Sequence, residues 1–230
     1  MIGFDPLYFL FIAPAFLLGM WAQARVKSSY QQAMQEPAPL SGAAAARLIL
    51  DQAGLPHIPI EETPGTLSDH YDPSSQTVRL SSAVYHERSL AAVGIAAHEV
   101  GHAIQHARRY LPLVVRNIAV PAAVWGPNLS VGLLFAGVIF QLPGLIWLGI
   151  IAFSGVAVFQ LVNLPVEFDA SNRAKRVLSE LQIVDSHGAA VVRDVLGAAA
   201  LTYVAGTLQT LSTLLYYIVR YGGMGSRRDD

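Results

Sequence analysis

The chain has no cysteine and few charged residues. No disulfide bond can form within it, although this absence does not reveal the redox compartment in which the protein works. Charged residues make up 13% of the 230 residues, where soluble domains average about 25%, and 53% of the residues are hydrophobic. This composition predicts a membrane protein. The formal net charge of -1 argues against a nucleic-acid partner, and no internal repeat or phosphate-binding glycine loop is apparent.

Long apolar runs supply the candidate membrane spans. Residues 7–24 can cross about 30 Å of hydrocarbon, and they lack the basic region and cleavage site of a signal peptide, so we interpret them as an N-terminal anchor. Residues 118–140 and 142–164 predict a tight transmembrane hairpin, because almost nothing separates them. Residues 196–219 are interrupted by threonine, serine and glutamine, so they either span the membrane or pack against the other helices. We therefore expect three to four transmembrane helices.

Basic residues lie at one end of each of the first three spans and are absent from the hairpin tip. They are Arg25 and Lys27 after the first span, Arg108, Arg109 and Arg116 before the second, and Arg173, Lys175 and Arg176 after the third. By the positive-inside rule, the N-terminus faces outward and residues 25–117 face the cytoplasm. The sequence thus predicts a multi-pass protein of the inner (plasma) membrane. Crossing by the fourth segment would place Arg220, Arg227 and Arg228 outside, which disagrees with this rule.

The polar region between the first and second spans predicts a small α+β domain. Ser41 is a suitable N-cap for a helix that ends at Gly54. Extended segments at 57–62 and 65–71 and a polar turn precede a strand at 77–81. The fold class is therefore a mainly α membrane protein with a small α+β domain.

The sequence HEVGH at residues 98–102 is the strongest functional signal. Residues four apart share a helix face, so His98 and His102 can bind one cation while Glu99 lies beside it. Ser89 is a good N-cap for this helix, and the small apolar residues after it suit a buried position. Burying two imidazoles and a carboxylate is costly without a partner such as a metal. The motif predicts a zinc site in which Glu99 can take a proton from water.

A catalytic zinc site requires a third protein ligand. His106 is excluded, because side chains at i, i+4 and i+8 extend about 12 Å along a helix and cannot all reach one ion. Glu167 is the favoured carboxylate. Pro165 is expected to open a helix with Glu167 in its first turn, and the hairpin returns this segment to the side of the membrane that carries HEVGH. Asp169 and Glu180 remain alternatives.

Three stretches, AAHEVGHAIQH, NLPVEFDAS and AALTYVAG, resemble the YugP-type family of bacterial membrane zinc metallopeptidases, and SDHYDP before the strand agrees with them. The resemblance covers nearly the whole chain. More distantly, the chain is similar to gluzincin membrane proteases, which combine HExxH with a glutamate from a later helix. The resemblance implies that His98, His102 and Glu167 bind Zn²⁺. It also implies that Glu99 is the general base and acid.

One position departs from the wider gluzincin pattern. Those enzymes usually carry an aspartate four residues after the ligand glutamate, where it supports a histidine ligand. Here that position is Ser171, and Asp169 or Asn172 are the candidate substitutes for the missing carboxylate.

These observations divide the chain into five segments. They are an N-terminal anchor (1–24), a zincin-like domain with the HEVGH helix (25–112), a transmembrane hairpin (113–164), a third-ligand helix (165–195), and an apolar C-terminal helix with a short tail (196–230). The expected partners are the lipid bilayer and a peptide or protein substrate, and the sequence leaves room for a regulatory protein that no motif identifies.

The sequence predicts a membrane-embedded zinc endopeptidase with its active site at the cytoplasmic face. A peptide substrate is expected to bind extended along the strand at 77–81, added to the sheet as an edge strand. The alternative is a non-catalytic membrane scaffold in which a structural zinc joins the HEVGH helix to the Glu167 helix. The presence of Glu99 argues against that alternative, because a structural zinc needs no neighbouring base.

Overall fold

The structure, a computed structural model, describes residues 5–222. These residues are mainly helical. The long helices are α1 (Pro6–Gln35), α5 (Leu111–Ile139), α6 (Pro143–Glu180) and α7 (Ser186–Tyr221); the shorter elements are α2 (Gly42–Gln52), β1 (Ile60–Thr63), β2 (His70–Asp72), β3 (Thr77–Ser81), α3 (Ser82–His86) and α4 (Leu90–Ala107). Arg227 and Arg228, which entered the orientation argument, lie outside the described residues.

Four of these helices are candidates for crossing a membrane. Among residues 5–222, α1, α5, α6 and α7 are each long and apolar enough to span the bilayer. The prediction of a mainly α protein is confirmed, and the three to four expected membrane helices correspond to four candidates by length and composition. The fourth predicted span, residues 196–219, lies within α7, which is one continuous helix of 36 residues. This length is enough to cross the membrane.

The described residues group into two compact units. The mixed unit comprises residues 22–114 and 165–201 and contains the sheet, the shorter helices and one end of each of the four long helices. The helical unit comprises the remaining described residues.

The helical unit holds together at the ends of its helices. Leu134 of α5 and Ile146 and Ile150 of α6 form a buried cluster, against which partly buried side chains of α7 pack. Asp5 accepts hydrogen bonds from Tyr216 Oη at 2.9 Å and from Arg220 Nε at 3.1 Å. The start of α1 and the end of α7 therefore lie together, so these two helices run in opposite directions.

The mixed unit has its own hydrophobic core. Fully buried side chains from the sheet and from four helices meet there: Ile49 and Leu50 of α2, Val78 and Leu80 of β3, Val93 and Val100 of α4, Leu178 of α6, and Val192 of α7. Burial of a side chain of this size contributes about 1.5–3 kcal/mol to the free energy of unfolding. This core fixes α4 against the sheet on one side and against α6 on the other.

The sheet has the strand order β1-β3-β2. β1 is parallel to β3, and β2 is antiparallel to it. β3 begins and ends where the sequence predicts, at Thr77 and Ser81. The expectation that β3 binds a peptide as an edge strand is wrong, because β1 and β2 already occupy both of its edges.

Local signals in the sequence explain several element boundaries. The side chains of Ser41 and Ser89 accept hydrogen bonds from the first turns of α2 and α4, as expected of N-caps. Gly54 follows α2 with a φ of +75°, a conformation that suits glycine. The expectation that Pro165 opens a helix is wrong: α6 continues through Pro165, and Glu167 lies in its interior. A proline removes one backbone hydrogen bond, which long apolar helices tolerate when their neighbours hold both halves in place.

Candidate metal centre

His98 and His102 lie in α4, on successive turns of one helix face. Their ring centroids are 4.8 Å apart and their planes are nearly perpendicular, at 87°. Both side chains are largely buried, with exposed fractions of 12% and 13%. The helix therefore presents two imidazoles to one point in space.

Glu167 reaches the same point from α6. Its Oε2 atom lies 3.3 Å from His98 Nε2 and 3.5 Å from His102 Nε2. The ligand atoms of the three side chains all lie within 4.8 Å of one another. The structure thus brings together three residues that the sequence singles out, although they are separated by up to 69 positions along the chain.

The chemistry of this cluster fits a cation. Glu167 Oε2 is buried and has no hydrogen-bond partner within the described part of the chain, which is costly for a carboxylate oxygen. Burial lowers the pKa of His102, but the carboxylates of Glu167 and Glu99 outweigh it, so the pKa is raised above its usual value. Two imidazole nitrogens and one carboxylate oxygen form a donor set typical of zinc sites that keep an open position. The three side chains could therefore hold a zinc ion.

Each imidazole turns its other nitrogen toward a polar partner. His98 Nδ1 is 3.1 Å from Ser171 Oγ, and His102 Nδ1 is 3.0 Å from Gln105 Oε1. Ser171 thus contacts a histidine from the position where the wider gluzincin pattern has an aspartate. Asp169 is connected to His102 through Gln105: it accepts a hydrogen bond from Gln105, whose Oε1 faces His102 Nδ1.

Glu99 lies beside the three clustered side chains and is not one of them. Its residue is only 8% exposed. The backbone N–H of Tyr71 in β2 donates a 2.9 Å hydrogen bond to Glu99 Oε2. This N–H belongs to the edge of β2 that does not pair with β3, so the sheet edge fixes the orientation of the carboxylate.

His106 lies one turn beyond His102 and stays outside the cluster. Its Nδ1 is 2.8 Å from the hydroxyl of Tyr71. Burial raises the pKa of Tyr71 to about 12, so this hydroxyl keeps its proton at physiological pH and can donate a hydrogen bond to the imidazole or accept one from it. The pair joins the end of α4 to the edge strand of the sheet.

A glycine lets the two helices that carry the cluster, α4 and α6, approach closely. A Cβ atom added at Gly101 would lie 2.8 Å from the backbone oxygen of Ala170, which real Cβ atoms essentially never do. Gly101 stands between His98 and His102, and Ala170 follows Glu167 by less than one turn. The close approach therefore occurs where Glu167 must reach the imidazoles.

The other residues considered as ligands lie elsewhere. Asp169 bonds to Gln105 and to Arg173, and Glu180 is exposed at the end of α6. Sequence reasoning missed Gln105 altogether. The available signal was an uncharged polar side chain three residues after His102 on a helix that is otherwise small and apolar.

The comparisons with known proteins agree with this geometry. Residues 8–222 match the family described as "Putative neutral zinc metallopeptidase". The chain is 42% identical, over 92% of its length and 95% of the relative, to the "Putative membrane protease YugP" of Bacillus subtilis (strain 168). No solved structure gives a significant match. A match that covers nearly the whole chain, together with this relative, shows that the protein belongs to the family described as "Putative neutral zinc metallopeptidase".

Proposed function

We propose that this protein is a membrane-embedded endopeptidase in which His98, His102 and Glu167 bind zinc and Glu99 is the general base. The observation that carries the proposal is the convergence of two Nε2 atoms on the buried Oε2 of Glu167. The family and the homologue named as a membrane protease support the same class of reaction.

Zinc held by these ligands supplies a Lewis acid that polarises the scissile carbonyl group and makes water more acidic. The protein's own contribution is a proton acceptor in the right place. The Tyr71 N–H holds Glu99 Oε2, so the carboxylate has a fixed orientation beside the ligand cluster. Glu99 takes the proton of the attacking water and delivers it to the leaving amine.

The edge of β2 is the best-placed surface for the substrate backbone. Among the described strands, β2 pairs with β3 along one edge only, and the Tyr71 N–H on its other edge reaches Glu99. An extended peptide that lies along this free edge would bring its backbone next to the general base. This placement replaces the expected binding along β3.

We place the active site at the cytoplasmic face of the inner (plasma) membrane. The arginines and lysines near residues 25–27, 108–116 and 173–176 support this orientation through the positive-inside rule. Arg220 disagrees with this rule if α7 crosses the membrane, because it then lies outside. In the helical unit, its ion pair with Asp5 offsets that positive charge.

Metal removal and restoration test the proposal. The protein purified in detergent should cleave members of a peptide mixture at internal bonds, lose that activity after dialysis against a chelator, and regain it with zinc, because the three ligands hold the ion that the reaction needs. Mass spectrometry of the products would locate the cleaved bonds. A protein that binds zinc tightly but cleaves no peptide would contradict the proposal and support a structural role for the metal.

A further inference from the structure

Gln105 occupies a position that the proposed reaction does not use. It lies one turn after His102 on α4, and its side chain is completely buried, with 0% exposed. The oxygen and both N–H groups of its amide are engaged within the mixed unit. Its Oε1 faces His102 Nδ1 at 3.0 Å, and its Nε2 donates to Val166 O and to Asp169 Oδ2, each at 2.8 Å.

The partners of Gln105 allow only one orientation of its amide. The carbonyl of Val166 can only accept a hydrogen bond, and Asp169, which also accepts one from Arg173 Nε, is likewise an acceptor. Both N–H groups of the amide must therefore point to α6. A flipped amide would set its oxygen against these two acceptors and leave buried groups unpaired, at a cost of about 1–3 kcal/mol each.

This orientation determines which nitrogen of His102 carries the proton. Since Gln105 presents only an acceptor to the ring, His102 Nδ1 must donate, and the neutral imidazole carries its hydrogen on Nδ1. Its Nε2, 3.5 Å from Glu167 Oε2, is then the nitrogen that can bind a metal ion. Ser171 cannot impose the same choice on His98, because a hydroxyl both donates and accepts.

Gln105 also ties α4 to the stretch of α6 that carries Glu167. Its two acceptors lie one residue before and two residues after Glu167. One side chain therefore fixes the ring of His102 and the local position of the carboxylate that faces it. A residue that only filled the core would need none of these three hydrogen bonds.

We propose that Gln105 is a positioning residue that holds His102 in the Nδ1–H form and fixes Glu167 relative to it. The proposal rests on the proposed function only in taking His102 and Glu167 as the metal ligands. It predicts a property of the metal-free protein, the His102 tautomer, and a property of the metal-bound protein, the affinity for zinc.

The test measures both properties in wild type, Gln105→Met and Ser171→Ala. Methionine has nearly the shape of glutamine but cannot make these hydrogen bonds. Nitrogen NMR of histidine-labelled, metal-free protein, at a pH where imidazoles are neutral, reports the tautomer, and His102→Asn assigns the signal. We expect Nδ1–H at His102 in wild type and in the matched control Ser171→Ala, and a mixture of tautomers in Gln105→Met.

Zinc affinity is then measured by competition with a chelator. Gln105→Met should bind zinc about 10- to 100-fold more weakly than wild type, as is usual when the partner of a ligand histidine is lost. An Nε2–H form at His102 in wild type would overturn the proposal without reference to any variant. An unchanged tautomer and unchanged zinc affinity in folded Gln105→Met would overturn it as well. If the wild-type protein binds zinc normally but cleaves no peptide, that result would count against the proposed function and not against the role of Gln105.

Discussion

At the scale of single residues, the proposed metal site depends on Glu167. Among residues 5–222 it is the one carboxylate placed against both Nε2 atoms, and within the same residues its Oε2 has no hydrogen-bond partner. Removing it leaves two ligands, which is too few for a tight zinc site.

We therefore expect Glu167→Ala to lose most of its zinc. Elemental analysis of the purified protein gives the number of zinc ions per chain, which should be about one in wild type and close to zero in the variant. Glu180→Ala is the matched control, because Glu180 is an exposed glutamate on the same helix. Full zinc content in Glu167→Ala would show that the ligand assignment is wrong.

The sequence could predict some residues of the site and not others. His98, Glu99 and His102 follow from spacing within one helix, so local periodicity is enough to find them. The role of Gln105 depends on acceptors that lie 61 and 64 positions away. No pattern along α4 contains that information, because it arises only when α6 packs against α4.

At the scale of elements, the site depends on how closely α4 and α6 pack. Gly101→Ala would place a methyl group against the backbone oxygen of Ala170, and a backbone atom cannot move aside as a side chain can. The two helices must then separate, and Glu167 moves away from the imidazoles. Gly197 is a suitable control, because a Cβ atom there meets nothing within 4 Å.

We expect Gly101→Ala to lower the free energy of unfolding by about 1–3 kcal/mol, the usual cost of overpacking. It should also weaken zinc binding. Gly197→Ala should be neutral or stabilising by up to about 1 kcal/mol, because alanine favours a helix over glycine. Thermal unfolding in detergent and chelator competition measure the two effects. Unchanged zinc affinity in Gly101→Ala would contradict the role given to this close approach.

Elements with strong local signals were predictable, and their pairing was not. The bounds of β3 and the serine caps of α2 and α4 follow from turn and capping residues that sit next to them in the sequence. The prediction that a helix starts at Pro165 is wrong. Proline favours helix starts, but α6 continues through Pro165 because packing along the helix stabilises it on both sides of this residue. The central place of β3 in the sheet depends on long-range pairing that alternation of residues does not reveal.

At the scale of the whole molecule, the account predicts an orientation in the membrane. With four crossings, the start of α1 and the end of α7 lie on the same side, in agreement with the contacts of Asp5 with Tyr216 and Arg220 in the helical unit. The same count places residues 25–110 and residues 165–195 on the opposite side.

Cysteine labelling can test this orientation without background, because the chain has no native cysteine. In intact cells, a cysteine at the exposed Ser74 should be shielded from a membrane-impermeant thiol reagent, and one at Gly144, near the hairpin tip, should react. Both should react once the membrane is made permeable. If Ser74→Cys is labelled in intact cells, residue 74 lies outside and the proposed orientation is wrong.

Substitution of Glu99 by glutamine tests the central claim most directly, with zinc content and peptide hydrolysis measured on the same sample. Glutamine is nearly isosteric, its carbonyl oxygen can still accept the hydrogen bond of the Tyr71 N–H, and residue 99 is outside the ligand cluster. Glu99→Gln should therefore keep about one zinc per chain while hydrolysis falls at least about 10²- to 10⁴-fold, as expected when a general base is removed. Zinc retained together with undiminished hydrolysis would contradict the role given to Glu99 and the mechanism built on it.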